Sequence, residues 1–298
     1  MSERRQLLLM VAPYVCGVVV LVALPALATF ALAVTDYDLV RAPSFVGLEN
    51  FRELASDEVF RTALGNSLLF AAVGAPLRVG VALGLALLLH RRFRGVSVAR
   101  SGVVLPTVVP EVAFGLLWLW LLNPVYGPIN LALDLVGPPG VTVWGQPLPQ
   151  WLTDPGDARA AIVLITLFTI GEGFVLFLVA RQTMPSELYE LAEVEDASAW
   201  VVARRVTLPL LAPLVVLMVL RDALLMFQLT FVPALVVTEG GPPLYATTTL
   251  PLFVYRTGFE YLRYGYAAAA TLVIVALTVL LLGLQWRVIR RWRRSLLA

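Results

Sequence analysis

The segment PSELYELAEVEDASAWVVARRVTLPLLAP (residues 185–213) lies between two long apolar runs and is too polar to lie in lipid. Its first half carries five acidic residues: Glu187, Glu190, Glu193, Glu195 and Asp196. It then becomes basic at Arg204 and Arg205, just before the next hydrophobic run begins. A charged amphipathic segment in this position predicts a docking surface outside the bilayer.

The overall composition is that of a membrane protein. Of the 298 residues, 59% are hydrophobic and 14% are charged, and the mean hydropathy is +0.85. All 22 basic residues are arginine, so the chain lacks the lysine of a GxxxxGK[ST] phosphate-binding loop. Cys16 and His90 are single residues in apolar runs, which favours a buried, unreactive thiol and an interfacial imidazole over a metal or catalytic site.

Six apolar runs are long enough to cross a bilayer, which takes about 20 residues of helix. The first also has a sequence resembling a signal-peptide cleavage site at residues 26–28, but its apolar run is too long for a signal peptide. We therefore expect a single all-α transmembrane domain over residues 1–298. Its predicted spans are residues 7–34, 62–90, 101–122, 160–180, 208–237 and 264–286.

The arginines indicate the orientation of these spans, because short cytoplasmic connections are enriched in positive residues. One side, which includes both termini and residues 182–207, carries 14 arginines. The opposite side carries six: Arg41, Arg52, Arg61, Arg159, Arg256 and Arg263. Both termini and the acidic segment are therefore predicted to be cytoplasmic.

Five ionisable residues fall inside the predicted spans, at roughly 13 to 20 Å from the cytoplasmic end at 1.5 Å per residue. They are Arg78, Glu111, Glu172, Arg221 and Asp222. Charges at this depth face a protein interior or a wet cavity, so they are either ion pairs within the helix bundle or part of a substrate path. Arg221 and Asp222 are adjacent and point about 100° apart on a helix, so we expect each to pair elsewhere. The candidate path also includes Phe174, Phe227, Gln228 and Phe231.

The acidic segment resembles the cytoplasmic EAA loop of ABC-importer permeases. Glu190, Leu191 and Ala192 occupy its Glu-Ala-Ala positions, and Asp196 occupies its glycine position. Val206, Leu208 and Pro209 follow at the spacing of its Ile-x-Leu-Pro element. Asp adopts left-handed conformations more readily than most non-glycine residues, so the sequence is still compatible with a turn at Asp196. The alternative is an ordinary solvated loop helix.

Other segments extend the resemblance over nearly the whole chain. VGLENF (46–51), LPTVVP (105–110), YGPIN (126–130) and TEGGPP (238–243) follow in the order seen in the carbohydrate-uptake branch of these permeases. The resemblance implies a type I ABC-importer-like permease subunit that moves a sugar, or a sugar-like solute such as a polyol phosphate, by alternating access. It also implies that residues of the loop couple to an ATPase, and we expect these to be Glu187, Glu190, Leu191, Ala192, Asp196, Arg204 and Arg205.

The implied partners are a second, related permease, two cytoplasmic ATPases that hold ATP and Mg²⁺, and an external solute-binding protein, but no nucleic acid. This chain itself would need no cofactor or metal and would lie in the prokaryotic inner membrane. A proton-coupled secondary transporter using Glu111, Glu172 or Asp222 is the main alternative, and it predicts interrupted helices and an internal repeat. A membrane enzyme is disfavoured, because the chain shows no recognisable nucleophile or acid–base set.

Overall fold

The computed structural model describes residues 3–91, 93–136, 149–241 and 244–295. Arg92 and the two prolines of TEGGPP lie outside this range. The first half of the chain forms helices α1 (Glu3–Val18), α2 (Leu24–Leu32), α3 (Glu49–Ser56), α4 (Glu58–Leu69), α5 (Ala75–Leu89), α6 (Val96–Val104), α7 (Glu111–Leu121) and α8 (Pro128–Val136). The second half forms α9 (Pro155–Leu167), α10 (Gly171–Gln182), α11 (Glu187–Val194), α12 (Ala199–Val202), α13 (Leu208–Leu229), α14 (Phe231–Val236), α15 (Leu250–Tyr255) and α16 (Tyr264–Ser295).

Several of these helices are joined without a loop. Within the described ranges, five-residue π-helical segments connect helices or extend them, at Val19–Ala23, Phe70–Gly74, Ala203–Thr207 and Arg256–Glu260. A 3₁₀ turn, Leu105–Val108, follows α6. Two short antiparallel strands, β1 (Thr35–Asp36) and β2 (Ser44–Phe45), pair Thr35 with Phe45 and Asp36 with Ser44.

Four continuous helical stretches in the described part of the chain are long and apolar enough to cross a membrane, or up to six if two bent pairs each count as one span. The continuous ones are Arg5–Leu32, Glu58–Leu89, Ala199–Val236 and Tyr264–Arg287. They overlap the first, second, fifth and sixth predicted spans. Cys16, which we expected to be buried, is exposed on the first of them, because the apolar part of that helix is not buried against any of the described residues.

The third and fourth predicted spans are not straight helices. Val96–Val108 and Glu111–Leu121 meet at 106°. Pro110 explains this bend, because a residue before proline is pushed to extended backbone and Val109 has ψ 133°. Pro155–Leu167 and Gly171–Gln182 meet at 49°. The two bends touch: a Cβ on Gly171 would lie 2.9 Å from the Thr107 side chain, so only glycine allows this approach.

The structure contains two compact units. The first contains Met1–Arg61 and Leu250–Leu280, and the second contains Thr62–Thr249 and Leu281–Ala298. In the second unit α5 packs against α10 and α13. The buried core of this packing includes Val79, Ala82, Phe174, Phe177 and Met218.

In the first unit, a buried amide holds the chain after α2. Asn50, the asparagine of VGLENF, is 7% exposed. Its side-chain NH₂ donates to the carbonyl oxygens of Ala33 at 3.0 Å and Thr35 at 2.9 Å. Nearby, Arg263 forms a two-armed ion pair with Glu53 at 2.8 and 2.6 Å. These hydrogen bonds to Glu53 raise the pKa of Arg263 above its ordinary value.

Replacing Asn50 by Ala or Asp should destabilise the protein by about 1 to 3 kcal/mol, because two buried carbonyls would lose their donors. The free energy of unfolding is measured by denaturant titration in mixed micelles. Glu49→Ala is the matched control, since Glu49 is exposed and its ion pair with the neighbouring Arg52, at 3.5 Å, is exposed as well. Equal destabilisation by Asn50→Ala and Glu49→Ala would contradict the role of the amide.

Candidate functional site

A cavity of about 280 Å³ lies in the second unit, between α5, α13, the start of α7 and the α9–α10 bend. All five ionisable residues that the sequence placed within the spans line it: Arg78, Glu111, Glu172, Arg221 and Asp222. Thr166 and Thr169 also line it. These two threonines were not predicted from the sequence. The signal that could have found them is the Gly171-Glu172-Gly173 sequence, which is unusual inside an apolar span and marks the helix break beside them.

Arg78 holds the broken end of α9. Its guanidinium donates to the carbonyl of Thr166, to the hydroxyl of Thr169 at 2.9 Å and to the carbonyl of Thr169 at 2.7 Å. The last carbonyls of a helix have no partner within it, and a membrane interior supplies no water to satisfy them. A cation at this end is also favoured by the helix dipole. Arg78 therefore compensates for the break.

Asp222 balances the charge of Arg78. Its Oδ2 accepts from Nε of Arg78 at 3.2 Å, and both residues are buried, at 5% and 7% exposure. The other carboxylate oxygen lies 3.6 Å from the guanidinium of Arg221. Each of the two neighbours pairs elsewhere as expected, Asp222 with Arg78 and Arg221 with Glu172, but our expectation that they would not also pair with each other is wrong. The reason is that the arginine side chain is long enough to curl back despite the 100° offset of its Cα–Cβ bond.

The network ends at the more open side of the cavity. Arg221 also forms an ion pair with Glu172, whose side chain is 68% exposed. Glu111 is the first residue of α7 and lines the same cavity. In the described part of the chain its carboxylate has no hydrogen bond or ion pair.

The other four candidate path residues do not line this cavity. Phe174 is 1% exposed and packs in the core between α5, α10 and α13. Phe227 is buried as well, at 7% exposure. Gln228 is exposed, and Phe231 is half-buried.

The acidic loop forms two short helices joined by a tight turn at Asp196. The N–H of Ala197 donates to the carbonyl of Ala192 at 2.9 Å, and that of Asp196 donates to Glu193 at 3.1 Å. This pair of hydrogen bonds is the Schellman motif, in which the residue after the helix is left-handed and usually glycine. Asp196 has φ +49°, so it adopts the turn of the glycine it replaces. A non-glycine residue pays roughly 1 to 2 kcal/mol for this conformation.

Tyr189 connects the loop to the helices on either side. Its hydroxyl lies 3.1 Å from Oγ1 of Thr207, just before α13, and it also donates to the Met184 sulfur. The guanidinium of Arg181, in the last turn of α10, lies 3.7 Å from the centre of its ring. Tyr189 was not predicted from the sequence, because its contacts to the two flanking helical segments, Arg181 and Thr207, are 8 and 18 residues away.

Most of the predicted coupling residues lie on the open surface of this loop. Glu187, Glu190, Leu191, Asp196, Arg204 and Arg205 are exposed, and Ala192 is half-buried. Val194 and Trp200, at 82% and 69% exposure, add apolar surface beside the acids. Such a mixture of exposed charge and large apolar side chains suits a protein partner.

Replacing Asp222 by Ala should destabilise the protein by about 3 to 5 kcal/mol, because Arg78 would stay buried without its counter-charge. Glu172→Ala is the matched control, with an expected cost of about 1 kcal/mol or less because its carboxylate is mostly exposed. Denaturant titration in mixed micelles measures both.

The double variant Arg78→Leu/Asp222→Leu separates the two roles of Arg78. It removes both charges but leaves the carbonyls of Thr166 and Thr169 without donors, so it should stay at least about 2 kcal/mol less stable than wild type. Recovery to wild-type stability would show that Arg78 matters only as the partner of Asp222.

Comparison with known proteins gives this geometry a context. Residues 79–294 match the sequence profile of the family described as "Binding-protein-dependent transport system inner membrane component". The trehalose/maltose transport system permease protein MalF of Thermococcus litoralis is 31% identical, over 96% of this chain and 94% of the relative. The probable ABC transporter permease protein YesP of Bacillus subtilis is 30% identical, over 91% and 87%. The sn-glycerol-3-phosphate permease UgpA of Yersinia pseudotuberculosis is 30% identical, over 83% and 81%.

A solved structure shows the same fold. A chain of a bacterial ABC transporter involved in the import of the acidic polysaccharide alginate superposes with a TM-score of 0.81 at 21% identity, over 97% of this chain and 96% of that one. The profile covers well over half of the chain, and the relatives are permeases, which are transport components rather than enzymes. The protein is therefore a multi-pass inner-membrane permease of the binding-protein-dependent ABC transporter family.

Proposed function

We propose that this permease imports a sugar or a sugar-like solute, as one of two related permease subunits. The names of its relatives support this solute class, since they include trehalose/maltose, sulfoquinovosyl glycerol and sn-glycerol-3-phosphate systems. An external binding protein delivers the solute, and two cytoplasmic ATPases, which hold ATP and Mg²⁺, drive alternating access. This chain has six spans, at the positions that the sequence predicts.

The observation that carries the proposal is how the loop of residues 182–207 joins the membrane helices. Tyr189 contacts Arg181 of α10 on one side and Thr207, beside α13, on the other. A partner that pushes on α11 therefore moves both helices together. The same two helices carry Glu172, Arg221 and Asp222 of the cavity. The loop is thus placed to link an ATPase to the solute path.

The cavity is the part of the solute path that this chain supplies. Arg78, Glu111, Glu172, Arg221 and Asp222 surround it, and their carboxylates accept hydrogen bonds from solute hydroxyls. Phe174 packs in the core, so we do not include it in the cavity wall. Phe227, Gln228 and Phe231 stay candidates for the path beyond this cavity, because Leu229 and Pro233, which are near them in sequence, line it.

One structural observation agrees with the secondary-transporter alternative, but two other findings do not. The two bent helix pairs are interrupted helices of the kind that it predicts. It does not account for the acidic loop, however, nor for the match to a family of binding-protein-dependent systems. Proline and the close approach at Gly171 explain the bends without proton coupling.

Replacing Glu190 by Ala, or Ala192 by Glu, should abolish uptake while the permease still inserts and assembles. A charge-assisted contact between Glu190 and a partner arginine contributes about 1.5 to 3 kcal/mol, enough to uncouple the ATPase without unfolding the chain. Uptake and ATPase stimulation are measured in vesicles containing the permease pair, the ATPases and the loaded binding protein. Glu195→Ala is the matched control and should retain most activity. Wild-type coupling in both variants would exclude this loop as the coupling element.

The orientation is tested by labelling single cysteines in intact cells, starting from a Cys16→Ser chain. Leu244→Cys should react with a membrane-impermeant reagent, whereas Val194→Cys should react only after the cells are opened. Both side chains are highly exposed, at 84% and 82%, so the membrane alone decides the difference. The reversed pattern would contradict cytoplasmic termini.

A further inference from the structure

We infer that the cavity selects an uncharged solute, or one that carries an amine, and disfavours phosphate, sulfate and carboxylate groups. The inference rests on the proposed function, because it takes the cavity as the solute path. It specifies the charge of the solute, which neither the loop nor the fold determines.

The first observation is the charge balance of the cavity wall. Three carboxylates, from Glu111, Glu172 and Asp222, face two guanidinium groups, from Arg78 and Arg221. The lining therefore carries one more negative charge than positive. Arg78 and Asp222 are buried and oppositely charged, so the excess comes from Glu111 and Glu172, both exposed, against Arg221 alone. It acts on a charged solute at close range, where two unit charges about 4 Å apart interact by about 1 kcal/mol even in water.

The second observation is that both cations already have carboxylate partners. Arg78 uses its Nε for Asp222 and its terminal nitrogens for the backbone and hydroxyl groups at the end of α9. Arg221 faces Glu172 and Asp222. Recognition of phosphate or carboxylate by arginine uses the two parallel N–H groups of an available fork. An anionic solute would have to displace these carboxylates before it could bind either guanidinium.

The third observation is the position of Glu111. Within the described residues this side chain makes no hydrogen bond or ion pair, although it lines the cavity. A carboxylate only accepts hydrogen bonds, so the groups that it can bind are hydroxyl, amide and ammonium donors. A polyhydroxylated or amine-bearing solute supplies them, whereas an anionic group at the same place would be repelled.

The size of the cavity agrees with a small solute. At about 280 Å³ it lies just below the range of roughly 300 to 1,000 Å³ found for small-molecule sites. One excess negative charge in so small a space stays close to any solute that occupies it. Charge therefore discriminates here more strongly than it would on an open surface.

The sign of the cavity charge is measured with a cysteine that lines it. Cys16 is the one native cysteine of the chain, so Cys16→Ser with Thr107→Cys leaves a single thiol, at an exposed position on the cavity lining. The purified permease in lipid nanodiscs reacts with two methanethiosulfonates of opposite charge, one carrying trimethylammonium and the other sulfonate. The ratio of the two rates is normalised to that of a free small thiol.

We expect the cationic reagent to be favoured by about fivefold or more over the free thiol, as one unit charge at close range implies. Glu111→Gln should lower the ratio by about fivefold. Asp134→Asn removes the same charge from an exposed site on α8 outside the cavity, and should leave the ratio unchanged. The inference is overturned if the cation-to-anion rate ratio is at or below that of the free thiol. It is also overturned if Glu111→Gln and Asp134→Asn change this ratio equally, or if neither reagent reacts.

This measurement is independent of transport. If vesicles with the full set of partners show no ATP-driven uptake, the proposed function fails while the thiol rates still report the charge of the cavity. If uptake is normal but the rates show no preference for the cation, the function stands and the charge selection fails.

Discussion

The buried guanidinium of Arg78 is the interaction on which the interior of the second unit depends. A helix break inside the membrane exposes carbonyls that neither lipid nor the helix can satisfy. Arg78 donates to two carbonyls and a hydroxyl at that break, and Asp222 compensates its charge. One side chain of α5 thereby ties the α9–α10 bend to α13. The bend also leaves the space that becomes the cavity.

The same helices then connect this cavity to the acidic loop. On α13, Asp222 lies 15 residues after Thr207, or about 22 Å at 1.5 Å per residue. On α10, Glu172 lies nine residues before Arg181, or about 13 Å. Both loop contacts meet at Tyr189, through its ring and its hydroxyl. Under the proposed coupling, a rigid displacement of the loop would pass along two packed helices to the charged lining, a hinge-and-shear type of motion.

Asp196 and Gly171 illustrate two different backbone constraints. Asp196 takes the left-handed turn between α11 and α12 at a conformational cost that glycine would avoid. Gly171 has no such cost, but no larger residue fits there against Thr107. Asp196 can stand at a glycine position because only its φ angle is constrained. Gly171 cannot be replaced by a larger residue, because Thr107 leaves no space for a side chain.

Local sequence patterns determined the long helices, the family and the charged residues of the cavity. Apolar runs placed the long helices, because burying twenty apolar residues in lipid needs no partner chosen from elsewhere in the fold. The spacing of Glu190, Ala192, Asp196 and Pro209 indicated the family, and charges too costly for lipid marked the five ionisable residues of the cavity.

Tertiary structure alone decided how those residues are used. The pairing of Arg78 with Asp222 spans 144 residues, and nothing near either residue distinguishes it from a pairing with Glu172 or Glu111. The two bends depend on Thr107 meeting Gly171, and the anchoring of the loop depends on Tyr189 reaching two separate helices. The sequence made Phe174 a candidate for stacking against a sugar. In the structure it packs in the core, because the facing surfaces of α5 and α13 enclose it. Periodicity fixes which residues share a helix, but the packing of helices far apart in sequence fixes which side chains meet.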